Sequence, residues 1–221
     1  VGGSTVFFSG RAYPLSTITL LKDAQVVAST VAGADANFQL SLGNVSAGNF
    51  IFSVYGEDAK GNRSSLSSFP VSVSAYTNTN VTGIFIAPTI DVDKSEVRRG
   101  DNLSIFGASA PKSDIVIMVN SETELFLQTG SDATGNYMYT FDTSQLEIGS
   151  HSAKSKAAVQ NVISSFGAAA VFSVGSKNTL KTKTSCGRGD LNCDKKTNLV
   201  DFSIMAFWYK KPLSGNGINA D

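Results

Sequence analysis

The feature that most constrains the fold is a two-residue alternation of apolar and polar side chains, broken at short intervals by turn residues. In Phe38-Gln-Leu-Ser-Leu42 and Phe50-Ile-Phe-Ser-Val54 the apolar positions fall two apart, with Gln or Ser between them. Successive side chains of a strand point to opposite faces, so this pattern gives each strand one buried and one wetted face. Segments 6–10, 16–21, 25–30 and 68–75 read as further strands. Ala32-Gly-Ala-Asp-Ala-Asn37, Ala47-Gly48 and Lys60-Gly-Asn62 separate them with residues that favour turns. Seven or so short strands at this spacing predict a Greek-key β-sandwich.

The pattern then repeats. Gly10-Arg-Ala-Tyr-Pro14 followed by Ser16-Thr-Ile-Thr-Leu20 is echoed by Gly107-Ala-Ser-Ala-Pro111 followed by Ser113-Asp-Ile-Val-Ile117. Asn37-Phe38 returns as Asn136-Tyr137, Ala47-Gly48 as Ile148-Gly149, and Phe69-Pro-Val-Ser-Val73 as Ala170-Val-Phe-Ser-Val174. The offset drifts only from 97 (Gly10 to Gly107) to 101 (Val73 to Val174). Two copies of one fold explain this better than one large sheet.

The order G-x-A-x-P, strand, then Asp58-Ala-Lys-Gly-Asn62 ahead of the last strand is similar to bacterial Ig-like domains found in tandem on secreted and surface proteins. The likeness covers the first copy well and the second in part, because the second has no Asp-x-x-Gly-Asn counterpart ahead of its last strand. It implies spacers, adhesion modules or filament building blocks without a shared catalytic centre. The expected organisation is a sandwich over 1–76, a linker or strand over 77–90, a sandwich over 91–175, a flexible tether over 176–185 and a small module over 186–221. Gly83-Ile-Phe-Ile-Ala-Pro88 is too apolar for a free linker and is expected to pack between the sandwiches or to await another subunit.

The last module is organised by Asp190-Leu-Asn-Cys-Asp-Lys-Lys-Thr-Asn-Leu-Val-Asp201. Oxygen-bearing side chains fall at loop positions 1, 3, 5, 9 and 12: Asp190, Asn192, Asp194, Asn198 and Asp201. Lys196 at position 7 can add its backbone carbonyl. Ca²⁺ takes about six to eight oxygens, and acceptors on alternating loop residues can wrap them round one point. The apolar Leu199-Val-Asp-Phe-Ser-Ile-Met-Ala-Phe-Trp-Tyr209 that follows reads as a helix carrying Asp201 on its first turn.

This spacing, with Asp instead of Glu at position 12, resembles the calcium-binding repeat of type I dockerins. The resemblance implies an EF-hand-like α-helical docking segment that binds a cohesin-like receptor. Lys195 stands where such loops prefer Gly, and the partner-selecting positions 10 and 11 are the apolar Leu199 and Val200. Dockerins carry two repeats, whereas here Asp221 sits where a second loop would begin, so a second repeat is expected to have been cut away, left out or supplied from elsewhere. Without a sister helix, Phe202, Met205, Phe207, Trp208 and Tyr209 form an apolar patch of the kind that marks an interface, with a cohesin-like receptor or with another copy of the chain.

Composition bears on compartment. Lys and Arg number 18, Asp and Glu 18, so nothing attracts nucleic-acid phosphates or acidic membranes. No apolar run reaches the length of a membrane span. The chain begins at Val1 without a signal peptide and reads as a mature or trimmed fragment. Cys186 and Cys193 read as a disulfide pinning the start of the loop, which implies an oxidising, extracellular compartment. Their alternative, half of a zinc site, lacks two ligands, since the one histidine, His151, lies in another segment.

Catalytic constellations are not evident. His151 sits in an alternating strand without a nucleophile motif and reads as a strand-surface histidine. Neither Glu57 with Asp58 nor Glu122 with Glu124 is placed across a cleft as paired catalytic carboxylates would be. Arg188-Gly-Asp190 spells an integrin-type tripeptide, but Asp190 serves better as the first calcium ligand. Asn44, Asn62, Asn80 and Asn102 head glycan-acceptor triplets that matter only in a eukaryotic secretory route. The sequence therefore predicts a non-enzymatic, secreted or cell-surface protein with Ig-like spacers and a calcium-dependent docking end. Two alternatives stay open: a self-assembling filament or surface-layer subunit, and the ancillary C-terminal part of a secreted polysaccharide-degrading enzyme.

Overall fold

The computed structural model describes residues 3–182 together with Leu199 and Phe202. The chain divides into two units, Val1–Lys181 and Thr182–Asp221. Alternation in the first unit is realised as strands throughout. They are β1 (Ser4–Arg11), β2 (Thr17–Lys22), β3 (Gln25–Val31), β4 (Asn37–Val45), β5 (Gly48–Glu57), β6 (Ser67–Val73) and β7 (Asn78–Phe85). After them come β8 (Asp91–Val92), β9 (Lys94–Arg98), β10 (Asn102–Ala108), β11 (Asp114–Asn120), β12 (Leu125–Gly130) and β13 (Asn136–Asp142). The last are β14 (Gly149–Val159), β15 (Val162–Ile163), β16 (Ala170–Gly175) and β17 (Thr179–Leu180).

These strands build two sandwiches of the Ig type. In the first, sheet β4-β1-β7 faces sheet β3-β2-β5-β6. The inward residues Phe8, Ile18, Leu20, Phe38, Phe52 and Val54 fill the space between them, and the Phe8 and Phe52 rings lie 5.0 Å apart. In the second, sheet β13-β10-β8 faces β12-β11-β14-β16-β9-β17, with β15 paired to β14. Its core comprises Leu103, Ile105, Ile115, Ile117, Tyr137, Phe172 and their neighbours. Each core contains residues brought together from the whole length of its own repeat, as sheet-on-sheet packing requires.

The repeat extends to individual hydrogen bonds. Ser64 accepts from the Gly56 amide through its hydroxyl and donates its own amide to the Gly56 carbonyl; Ser164 does the same with Ala157. Ser16 Oγ donates to the Tyr13 carbonyl as Ser113 Oγ donates to that of Ala110. The glycine that opens Gly10-Arg-Ala-Tyr-Pro14 and its echo Gly107-Ala-Ser-Ala-Pro111 has a steric role. A Cβ on Gly10 would collide with the Ile84 carbonyl, and one on Gly107 with the Thr89 carbonyl. Absence of a side chain lets the neighbouring edge segment pack flush against β1 or β10.

Several sequence expectations need correction. Segment 77–90, expected as a linker or a strand, supplies β7, which pairs with β1 and in parallel, unlike the antiparallel hairpins around it. The cause is a change of sheet. After β6 the chain crosses at Ser74–Thr77, tied by Ser4 Oγ to the Ser74 carbonyl and by the Thr5 amide to the Thr77 carbonyl, and then runs along β1. Segment 176–182 is no loose tether. β17 pairs with β9, Asn178 accepts the Arg98 amide and donates to Asp101, and Lys181 bonds Asp91 and the Asp93 carbonyl. His151 is buried at 8% exposure, with Nε2 2.8 Å from the Glu147 carbonyl and its ring 5.8 Å from that of Phe172. Inward alternation of β14 put it there, against the surface position expected.

The turn missing ahead of the second copy's last strand is present elsewhere, as Asp132-Ala-Thr-Gly-Asn136 ahead of β13. Asp132 Oδ1 accepts from the amides of Thr134 and Asn136 and from the Thr134 hydroxyl, while Gly135 takes φ +81°, a conformation that suits glycine. The Thr134 and Asn136 bonds hold the Asp132 carboxyl below the ordinary carboxylate range, and backbone amides do the same for Asp23, Asp35 and Asp142. A lowered folded pKa gives stability that is present above the unfolded value of about 4 and lost as pH falls through the folded values. Circular dichroism across acid titration should show stability declining below about pH 4, and Asp132→Asn should flatten that slope. Gly107→Ala should cost about 1–3 kcal/mol or more in chemical denaturation, because the Thr89 carbonyl has no room to yield.

Candidate functional site

The most constructed feature of the described residues is the junction between the sandwiches, centred on Ile86-Ala-Pro-Thr89. All four residues are buried. Burial of a chain segment obliges its backbone polar groups to find partners. The Ile86 amide donates to the Arg11 carbonyl, and the Thr89 amide to that of Ala108. Pro88 has no amide hydrogen to satisfy. Two phenols serve two of the segment's carbonyls: Tyr13 Oη donates to the Ala87 carbonyl at 2.5 Å, and Tyr137 Oη to the Thr89 carbonyl at 2.6 Å. Burial raises both tyrosine pKa values far above the ordinary range, so both phenols stay protonated and donating.

Thr89 joins the two copies directly. Its hydroxyl donates to Asp58 Oδ2 of the first sandwich at 2.7 Å and accepts from the Ala108 amide of the second at 3.0 Å. Asp58 is itself fixed by its turn, where Oδ1 accepts from the Lys60 and Asn62 amides and Oδ2 from Asn62 Nδ2. Around this pivot, Ser65 Oγ donates to the Phe166 carbonyl at 3.2 Å, and Lys60 Nζ lies 4.8 Å from the Phe106 ring centroid. A Cβ on Gly135 would come within 2.7 Å of Pro14 Cδ. Thr89, Tyr13 and Tyr137 were not singled out from sequence; the signal that could have found them is the apolar run 83–88 beside the motif tyrosine Tyr13.

Glu57 and Asp58, not read from sequence as a catalytic pair, have structural roles. Glu57 Oε2 accepts from Arg63 Nε at 2.7 Å, and Asp58 is the turn acceptor just described. Among the described residues no group of three or more His, Cys, Asp or Glu side chains could hold a metal. Of the C-terminal module, Leu199 and Phe202 are helical and exposed at 80% and 60%. The expected calcium ligands Asp190, Asn192, Asp194, Lys196, Asn198 and Asp201 lie outside the described residues, as do Val200, Phe207, Trp208, Tyr209 and the Cys186–Cys193 pair. Among the described residues no helix is long and apolar enough to cross a membrane.

No protein-family model matches the sequence, and no curated protein does. Solved structures resemble it weakly. A tetra-tandem repeat from the extending region of a large adhesion protein is 18% identical, covering 78% of this chain and 49% of that one, with a TM-score of 0.33. Fibronectin(III)-like modules of Clostridium thermocellum CbhA are 15% identical over 80% of this chain and 91% of theirs, at 0.30. A Ca²⁺-stabilized adhesin of an Antarctic bacterium is 12% identical over 80% and 49%, at 0.31. The chain spans about half the length of the first of these. The assignment as mainly β, with two Ig-type sandwiches, rests on strand order and not on these scores.

Thr89→Val removes a donor and an acceptor while keeping the side chain's shape, and it leaves both Asp58 Oδ2 and the Ala108 amide short of a partner. A loss of about 2–4 kcal/mol in urea denaturation is expected, with Thr89→Ser recovering most of it.

Proposed function

We propose that this chain is a non-enzymatic structural module of a secreted or surface protein, in which two Ig-like sandwiches act as one stiff spacer and a calcium-loaded C-terminal segment makes the docking contact. The observation that carries the spacer reading is the shared pivot of Asp58, Thr89 and the Ala108 amide. A free hinge would leave such groups to water; here Thr89 is buried, Asp58 and Ala108 are half-buried, and all three are paired across the two copies. The segment between β7 and β8 is bonded to both sandwiches, by the Ile86 amide to Arg11 and the Thr89 amide to Ala108, so bending it would break bonds to both.

The docking half rests on the loop chemistry. Ca²⁺ held by Asp190, Asn192, Asp194, Asn198, Asp201 and the Lys196 carbonyl would neutralise three carboxylates and fix the start of the following helix. That would present Leu199, Phe202 and the aromatic residues beyond them to a protein partner, a cohesin-like receptor or another copy. Exposure of Leu199 and Phe202 supports this reading.

Residual dipolar couplings on the full chain test the spacer: both sandwiches should report one alignment tensor, and two unlike tensors would overturn the reading. Trp208, the one tryptophan, reports the docking half. Millimolar calcium should shift its fluorescence and raise the melting temperature of the C-terminal unit reversibly with chelator, and Asp194→Ala should abolish both effects.

A further inference from the structure

The outward face of sheet β4-β1-β7 carries a pattern that packing does not require. On β1, Phe7, Ser9 and Arg11 share the outer side, opposite the buried Val6 and Phe8. Strand register sets Phe7 beside Ser41 and Asn80, Ser9 beside Gln39, and Arg11 beside Asn37. One aromatic ring, 41% exposed, therefore sits at the end of a double row of hydroxyls and amides. At about 3.3 Å per residue the row from Phe7 to Arg11 spans about 13 Å.

Two hollows lie along it and share Ser9 and Gln39. The first, about 390 Å³, is centred on Phe7; the second, about 530 Å³, runs from Arg11 to the Val159–Gln160 turn of the second sandwich. Arg11 Nη2 donates to Gln160 Oε1 at 3.3 Å and so bridges that hollow. Its far side holds Asp35, whose carboxylate is engaged by the amide and side chain of Asn37. The charged side chains lining the two hollows are Arg11 and Asp35, one of each sign, and the groove has no net charge.

We propose that this groove binds a neutral oligosaccharide. A sugar ring offers an apolar C–H face and a rim of hydroxyls that both donate and accept. Phe7 matches the face, while Gln39, Asn80 and the Arg11–Gln160 pair match the rim, since amides pair with hydroxyls in either sense. An anionic polymer finds no excess positive charge here. A protein interface would want several large apolar anchors over about 800 Å² per partner, and this sheet face exposes Phe7, with Phe85 half-buried beside Arg11 and Val162 on the far wall. Sites of this kind fall in the size range of ligand pockets, about 300–1,000 Å³. Because Gln160 belongs to the second sandwich, the inference rests in part on the spacer reading, which dipolar couplings test separately, and it is independent of the calcium reading.

Isothermal titration calorimetry of the full chain against cellotetraose, chitotetraose, maltotetraose and mannotetraose tests it. At least one of the four is expected to bind, with Gln39→Ala and Phe7→Ala each weakening it about tenfold or more. Gln39 is exposed, so its variant should melt with the wild type and separates lost binding from lost folding. No binding by any of the four, or binding unchanged in both variants, overturns the proposal.

Discussion

The Thr89 hydroxyl is the contact on which the relation of the two sandwiches depends. It is 1% exposed, gives its proton to Asp58 and takes one from the Ala108 amide. Asp58 and Ala108 are half-buried, and groups withdrawn from water in this way are costly to leave unpaired. The surrounding bonds are arranged to the same end. Tyr13 and Tyr137, one from each core, donate to carbonyls two residues apart, on either side of a proline that has no amide to satisfy. Gly167 allows the approach, because a side chain there would strike the Pro88 carbonyl. Bonds of this kind favour one arrangement of the boundary, which is what the proposed stiff spacer requires.

The two copies use the same local chemistry with different wiring. Ser64 and Ser164, Ser16 and Ser113, and Gly10 and Gly107 do equivalent work. What differs is the edge strand beside β1 and beside β10. The second sandwich takes its edge strand β8 from the residues that precede it, antiparallel to β10; the first takes β7 from the residues that follow it, parallel to β1. Both edges are thus drawn from one connector. Ordering that connector is opposed by chain entropy, and strand pairing at both of its ends offsets the cost.

Alternation and turn residues made the sandwiches and their duplication legible, because period two and glycine-bearing turns are local properties. The parallel pairing of β7 was not legible: Thr77-Asn-Thr-Asn80 is polar, and its ladder partner is set by where the chain crosses after β6. Thr89 looks like any threonine after a proline until Asp58 and Ala108, far away in sequence, arrive beside it. His151 was misplaced outward because its neighbours Ser150 and Ser152 are polar, while the alternation of β14 turns it toward Phe172. The polar composition of 176–182 concealed side-chain pairings of Asn178 and Lys181 that only the folded sheet supplies. The C-terminal loop presents the opposite case, since its ligand spacing is local and its chemistry is argued from sequence alone.

Arg11 ties the outer face of the first sandwich to the junction. Its carbonyl accepts the Ile86 amide at the start of the buried connector, its backbone pairs with Asn37 and Phe85, and its guanidinium reaches Gln160 of the second sandwich. The face that carries Phe7 and Gln39 therefore ends against a wall supplied by the other copy. A hinge at the connector would open that wall and change the width of the groove; a locked connector keeps it fixed. Rigid elements hold polar groups at spacings that a ligand can match without an ordering cost on the protein side. If the boundary is stiff, as proposed, the same buried threonine also sets the geometry of the surface groove beside it.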